Sequence, residues 1–246
     1  MPTDTVTVVV PTYNERENLP DIIPAVIELG YRLLIVDDNS PDGTGEIADA
    51  LAGASPSVDV LHRPSKEGLG RAYSAGFDLC LERGSDIVVE MDADFSHDPA
   101  DLPRLVEAIR GGADLAIGSR YVPGGATPDW PLPRRIISRG GNLYARLLLG
   151  IPIKDATAGF RAFRSSALSA LPYREAKASG YAFQVEMAWR SHQQGLAVVE
   201  TPITFRDRTR GTSKMGLPIV VEAMWLVTLW GLGRLWRALP FRPNAG

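Results

Sequence analysis

The first half of the chain alternates between short apolar runs and amphipathic stretches, and each apolar run stops at a polar turn. The runs are Thr5–Val10, Leu33–Asp37, Val58–His62, Ile87–Met91 and Leu115–Gly118. They are rich in Val, Ile and Leu, which suits strands of a sheet covered on both faces. Between them, Asn18–Leu29, Thr44–Ala52, Gly70–Glu82 and Pro99–Arg110 read as helices. Such alternation imposes right-handed βαβ units and a mostly parallel sheet, an α/β architecture. Ligands of these sheets bind beyond the carboxyl ends of the strands. Those ends carry Pro11-Thr-Tyr-Asn-Glu15, Asp37-Asp-Asn-Ser-Pro-Asp-Gly43, His62-Arg63, Asp92-Ala-Asp94 and Ser119-Arg120.

Asp92 and Asp94 stand one residue apart where the Ile87–Met91 run leaves the sheet. Two carboxylates there are costly to bury unless a cation joins them. Mg²⁺ and Mn²⁺ favour oxygen ligands and share them with phosphates. The competing reading is that Asp94 or Asp98 caps a helix beginning near Pro99.

A chain of 246 residues suits one large domain, or one domain with an appendage. Its single cysteine, Cys80, excludes an internal disulfide and reads as an inert helical residue. Met1-Pro-Thr-Asp lacks the order of a secretory leader, so a cytoplasmic protein is expected. The net charge of −3 hides an asymmetry: residues 1–119 carry 8 Lys/Arg and 22 Asp/Glu, whereas residues 120–246 carry 18 and 7. An acidic half suits a metal, and a basic half suits phosphates or an anionic membrane.

The second half is less regular. Residues 123–133 form a Gly/Pro-rich loop, followed by an amphipathic helix over Arg134–Leu149. Arg135, Arg139 and Arg146 share an arc of that helix, and Ile136, Ile137, Leu143, Tyr144, Leu147 and Leu148 share the adjoining face. A basic rim beside an apolar face fits a helix lying in a membrane interface; a core-packed helix with solvated arginines is the alternative. A loop from Asp155 enters a strand near Phe163, a helix is expected at Phe183–Gln194, and a last strand at Ala197–Phe205. Residues 206–214 make a basic loop of the kind that closes over phosphates. The tail from Leu217 holds Trp225, Trp230 and Trp236, but its uninterrupted apolar stretch, Ala223–Gly233, is short of the ~20 residues that span a bilayer. An interfacial or partner-bound helix is expected there, with a core-packed helix as the alternative.

Pro11-Thr-Tyr-Asn-Glu15, Val36-Asp-Asp-Asn-Ser-Pro-Asp-Gly-Thr44, Asp92-Ala-Asp94, Gly118-Ser-Arg-Tyr121 and Ser213-Lys214 stand in one order along the chain. Together, over about residues 5–216, they resemble family 2 glycosyltransferases of the polyprenol-phosphate (dolichol-phosphate) mannosyltransferase type. The resemblance implies a GT-A fold, a single Rossmann-like domain with a mixed, mostly parallel sheet. It implies transfer of mannose from GDP-mannose to a polyprenyl monophosphate, with inversion and with Mg²⁺ or Mn²⁺. Carried over by motif, Pro11, Tyr13, Glu15, Val36 and Asp38 meet the nucleotide, and Asp92, Ala93 and Asp94 meet the metal and diphosphate. Arg208 and Lys214 meet donor phosphates, whereas Arg120, Arg134 and Ser138 meet the acceptor phosphate. Asp94, Arg120, Arg208 and Lys214 are the residues expected to carry catalysis. Ser96 stands where some members have a glutamine as a further metal ligand, and the chain resembles the short form without transmembrane helices.

The expected organisation is a catalytic domain over residues 1–216 and an apolar helix and tail over 217–246, facing a membrane or a partner. A polyprenyl phosphate arrives already ionised, so it needs positioning more than a general base. Asp155 is the nearby carboxylate that could act as one, or could instead hold an arginine. The chain is expected on the cytoplasmic face of a membrane, with a membrane-anchoring protein as a further candidate partner and nucleic acid as none. A sibling using UDP-glucose and a non-catalytic nucleotide-sugar-binding subunit are the rival readings. A dinucleotide oxidoreductase is not expected, because no Gly-x-Gly-x-x-Gly follows the first strand.

Overall fold

A computed structural model describes residues 4–176, 180–207 and 217–238. Seven strands form one sheet: β1 (Val6–Thr12), β2 (Arg32–Asp37), β3 (Val58–His62), β4 (Ile87–Glu90), β5 (Leu115–Ser119), β6 (Arg161–Arg164) and β7 (Val198–Pro202). Their order is β3-β2-β1-β4-β6-β5-β7. Every neighbouring pair is parallel except those made by β6, which runs antiparallel to β4 and to β5. Six strands therefore end at one edge, and β6 begins at that same edge.

The helices are α1 (Leu19–Ile27), α2 (Thr44–Ala54), α3 (Leu69–Glu82), α4 (Leu102–Arg110), α5 (Leu132–Leu149), α6 (Ser165–Ala170), α7 (Gly180–Gln193) and α8 (Leu217–Ala238). The strands' unbroken apolar runs have a direct cause: both faces are covered. In β1, Val8 and Val10 enter one core with α1 and α4, while Val9 enters the other with α3 and α7, and all three are fully buried. Each such side chain contributes about 1.5–3 kcal/mol of burial. Helix α3 approaches β1 closely because residue 76 is glycine. A Cβ on Gly76 would lie 2.5 Å from Val9 Cγ1 and 3.2 Å from Val36 Cγ2.

The two late helices depart from ordinary amphipathic packing. Helix α5 buries Asn142, Ala145 and Leu149, and turns Ile136, Ile137, Leu143 and Leu147 outward, each more than half exposed. Helix α8 lies against α5 and α7. Tyr144 Oη and Thr228 Oγ1 are 2.7 Å apart, and the Trp230 ring stacks on Trp189 with centroids 5.5 Å apart. Val227 is buried, but Trp225, Leu232 and Trp236 face outward. Among the described residues, no helix is long and apolar enough to cross a membrane.

Cys80 is buried on α3, and burial pushes its thiol up to about 12. In the folded protein it will resist a thiol reagent at pH 8 and react fully only in denaturant. Gly76→Ala will lower stability by about 1–3 kcal/mol in urea titrations, the usual effect of overpacking.

Candidate active site

A cavity of about 420 Å³ opens at the edge where six strands end and β6 begins. Pro11 near the end of β1 and Tyr13 just after it, Asp38 after β2, Asp92 and Asp94 after β4, and Arg120 after β5 all line it. Three turns at this edge hold non-glycine residues in the left-handed region: Asn14 (φ 58°), Asn39 (φ 55°) and Phe95 (φ 59°). A bulky residue such as Phe95 at positive φ is held there against its own preference, as is common around functional sites.

At the β1–β2 side, Lys66 Nζ sits 4.0 Å above the Tyr13 ring. Asp38 accepts a 2.5 Å hydrogen bond from Arg63 Nη1. Burial raises the Asp38 pKa, and Arg63 opposes that rise. The adjacent Asp37 braces the turn, accepting from Thr12 Oγ1 and Ser40 Oγ. Glu15 lines the cavity and accepts from Asn18 Nδ2 at 2.8 Å.

In the centre, Asp94 Oδ1 accepts from the Ser96 backbone at 3.1 Å. The capping role falls to Asp98, whose side chain accepts from Ala100 N at 2.9 Å, at the head of the short 3₁₀ turn Pro99–Asp101. Tyr73 Oη donates to Asp92 Oδ1 at 3.4 Å. His97 stacks on Phe160 with centroids 5.0 Å apart and presents Nδ1 to the Asp92 backbone N–H at 3.4 Å. Burial holds the His97 pKa well below the usual imidazole range, so the ring is neutral. Among the described residues, no third His, Cys, Asp or Glu joins the two aspartates in a cluster able to hold a metal.

At the β5–α5 side, Asp155 clasps Arg120. Its oxygens accept from Arg120 N (2.9 Å), Nε (2.7 Å) and Nη2 (2.6 Å), and both side chains are buried. Asp155 thus holds an arginine and is not poised as a base. Glu200 on β7 braces this loop by accepting from Ser119 Oγ and from the backbone N–H of Lys154 and Asp155. Trp130, delivered by the Gly/Pro-rich loop, lies between two guanidinium groups, 5.3 Å from Arg120 Cζ and 4.1 Å from Arg134 Cζ. Arg134 also pairs with Asp207 at 2.9 Å.

The cavity brings together nine of the residues expected from the sequence: Pro11, Tyr13, Glu15, Asp38, Asp92, Ala93, Asp94, Arg120 and Arg134. It does not bring in Val36, whose side chain is fully buried in the core beside Gly76. Ser138 does not line it either; its Oγ accepts from Tyr121 Oη at 2.6 Å. Arg208 and Lys214 lie outside the described residues. The sequence reading missed Lys66, His97, Trp130 and Gln184. A lone histidine after Asp-Ala-Asp-Phe-Ser was the available signal for His97; Trp130 and Gln184 had none without the topology.

A mixed sheet with nucleotide-type turns at one edge, an acidic centre and an arginine-bearing far wall defines a GT-A glycosyltransferase domain. Residues 7–171 match Glycosyl transferase family 2, and the chain belongs to that family. It is 52% identical over 241 residues to the polyprenol monophosphomannose synthase of Mycolicibacterium smegmatis, covering 96% of this chain and 91% of that protein. It is 51% identical over 241 residues to the undecaprenyl-phosphate mannosyltransferase of Micrococcus luteus, covering 95% and 97%. The glucosyl-3-phosphoglycerate synthase of Mycobacterium tuberculosis, solved with Mn²⁺, uridine diphosphate and glucosyl-3-phosphoglycerate, shares the fold. Its TM-score is 0.66 at 22% identity, over 99% of this chain and 82% of that one.

Asp155→Asn removes the charge that compensates a buried guanidinium. It will cost about 3–5 kcal/mol of stability in denaturant titrations.

Proposed function

We propose that this glycosyltransferase moves mannose from GDP-mannose to a polyprenyl monophosphate, with inversion at the anomeric carbon. The observation that carries the reading is the charge set in one cavity: Asp92 and Asp94 line it together with Arg120 and Arg134. The names of the two relatives that are half identical to the chain supply the sugar and the lipid acceptor.

The donor set fits a hard divalent cation. Two carboxylates one residue apart at a strand's end suit Mg²⁺ or Mn²⁺, which favour oxygen ligands and share them with phosphates. Asp92 and Asp94 would hold the ion, which when bound supplies charge neutralisation for a departing diphosphate. The chain's own residues do the rest. Tyr13 with Lys66, and Asp38 with Arg63, shape the nucleoside end. His97, neutral and buried, fixes the Asp92 backbone without adding charge. Arg208 and Lys214 are assigned by motif to close over the donor phosphates.

At the far wall, Arg120 is fixed in orientation by Asp155 and Thr157, so its guanidinium is preorganised. Arg134 is held by Asp207, an anion that an incoming phosphate would displace. A phosphate monoester has a second pKa near ~6, so it comes as a charged nucleophile and no proton need be abstracted. Ser138 orders Tyr121 beside these arginines.

The outward apolar side chains of α5 and α8 stand beside the acceptor wall, with Arg139 and Arg146 on the same helix. This suits peripheral docking on the anionic cytoplasmic face of a membrane, so that the isoprenoid stays in lipid while its phosphate enters the cavity. A membrane-anchoring protein is a further partner for the same surface.

Labelled mannose will pass from GDP-mannose into a polyprenyl phosphate extract, chelator will stop it, and UDP-glucose will not replace the donor. Asp94→Ala will lower kcat by at least about 10²–10³-fold, the scale of losing a preorganised charge stabiliser. Lys214→Ala will lower the rate with a smaller effect on donor binding. In liposome flotation, neutralising Arg135, Arg139 and Arg146 together will release the protein from anionic vesicles; unchanged binding would contradict the docking face.

A further inference from the structure

Helix α5 turns one polar seam toward the wall that carries Arg120. Arg134, Ser138 and Asn142 follow one another at intervals of four residues, so they share one arc of the helix. Arg134 lines the cavity, Ser138 accepts from Tyr121, and Asn142 is all but inaccessible to water. Asn142 grips Thr157 at two points. Its Oδ1 accepts from the Thr157 backbone N–H at 3.2 Å, and its Nδ2 donates to Thr157 Oγ1 at 3.0 Å. The same Nδ2 donates to the Ser138 carbonyl oxygen at 3.0 Å. The reaction proposed above gives Asn142 no task.

Thr157 passes this grip on to Arg120. Its hydroxyl accepts from Arg120 Nη2 at 2.7 Å and from Asn142 Nδ2, and it donates to Asp155 Oδ1 at 3.3 Å. A hydroxyl has two lone pairs and one proton, so all three are taken and none is left for a ligand. Thr157 lines the cavity, yet it acts there as a link. The two residues before Asn142 are Gly140 and Gly141, both poor helix formers. A Cβ on either would meet nothing within 4 Å, so close packing does not explain them. The grip on Thr157 is thus made where α5 is least able to hold its own shape.

We propose that Asn142 is a positioning residue for the lipid-phosphate acceptor: through Thr157 it locks α5, which carries Arg134, in place against Arg120. The two arginines stand on separate elements, and both line the cavity. A phosphate monoester that meets both needs their spacing held, because a small misplacement forfeits much of the gain from two preset cations. The Arg120–Asp155 pair fixes one guanidinium within the β5–β6 wall. Asn142 ties that wall to α5, and the Tyr121–Ser138 bond at 2.6 Å makes a second tie beside it. The inference rests on the acceptor reading above.

The test compares wild type with Asn142→Ala, Thr157→Val and the double variant, with Mn²⁺ present. Calorimetry measures binding of GDP and of a short-chain polyprenyl monophosphate. Steady-state transfer gives separate KM values for GDP-mannose and for that acceptor. Each single variant should keep its GDP Kd and GDP-mannose KM within about twofold of wild type, while its acceptor Kd and KM rise at least about tenfold. The double variant should be little worse than either single one, because both break the same link. Thr157→Ser should recover most of what Thr157→Val loses. Thr157→Val keeps the shape of the side chain and serves if Asn142→Ala fails to fold. Acceptor constants that stay at wild-type values, a matching loss of GDP affinity, or strictly additive effects would overturn the link. Wild type that binds no polyprenyl phosphate would refute the assigned acceptor and the inference with it. Wild type that binds the acceptor but transfers nothing would refute the assigned reaction, and the binding arm would still decide the link.

Discussion

The buried pairing of Arg120 with Asp155 is the interaction on which the rest of the site depends. It joins the end of β5 to the loop entering β6, and each partner is all but inaccessible to water. A guanidinium buried alone would be prohibitive, and so would the carboxylate. Together they leave a cation fixed at the wall of the cavity, with its plane set by two hydrogen bonds. Glu200 on β7 pins the same loop from the other side, so three strands converge on one guanidinium. The insertion of a single antiparallel strand makes this possible, because it brings the start of β6 to the edge where the parallel strands end.

That geometry turns the sequence's charge asymmetry into a gradient. The acidic half of the chain supplies Glu15, Asp38, Asp92 and Asp94 to one side of the cavity, and the basic half supplies Arg120 and Arg134 to the other. A cation-dependent leaving group and an anionic nucleophile are suited to opposite ends of such a field. Gly159 and Gln184 line the same cavity without adding charge.

Much of this was legible in the chain itself. The five early strands stand within a few residues of their apolar runs, because a doubly covered sheet writes its pattern as continuous Val/Ile/Leu. Asp92, Asp94 and Arg120 were legible because they close strands, where ligands bind in such sheets. Val36 stands inside β2 with its side chain in the core, and of its segment Asp38 lines the cavity. Helix α5 read correctly as amphipathic, yet periodicity alone could not say that its larger apolar residues face outward while Asn142 and Ala145 face in. Gln184 escaped because its partner Glu90 lies 94 residues away in sequence.

The most direct test of the account is the anomalous scattering of Mn²⁺ in crystals soaked with Mn²⁺ and GDP-mannose. The account predicts one strong peak within bonding distance of the Asp92 and Asp94 carboxylates, shared with the diphosphate. A metal bound away from those aspartates, or a diphosphate seated against the arginine wall, would contradict it.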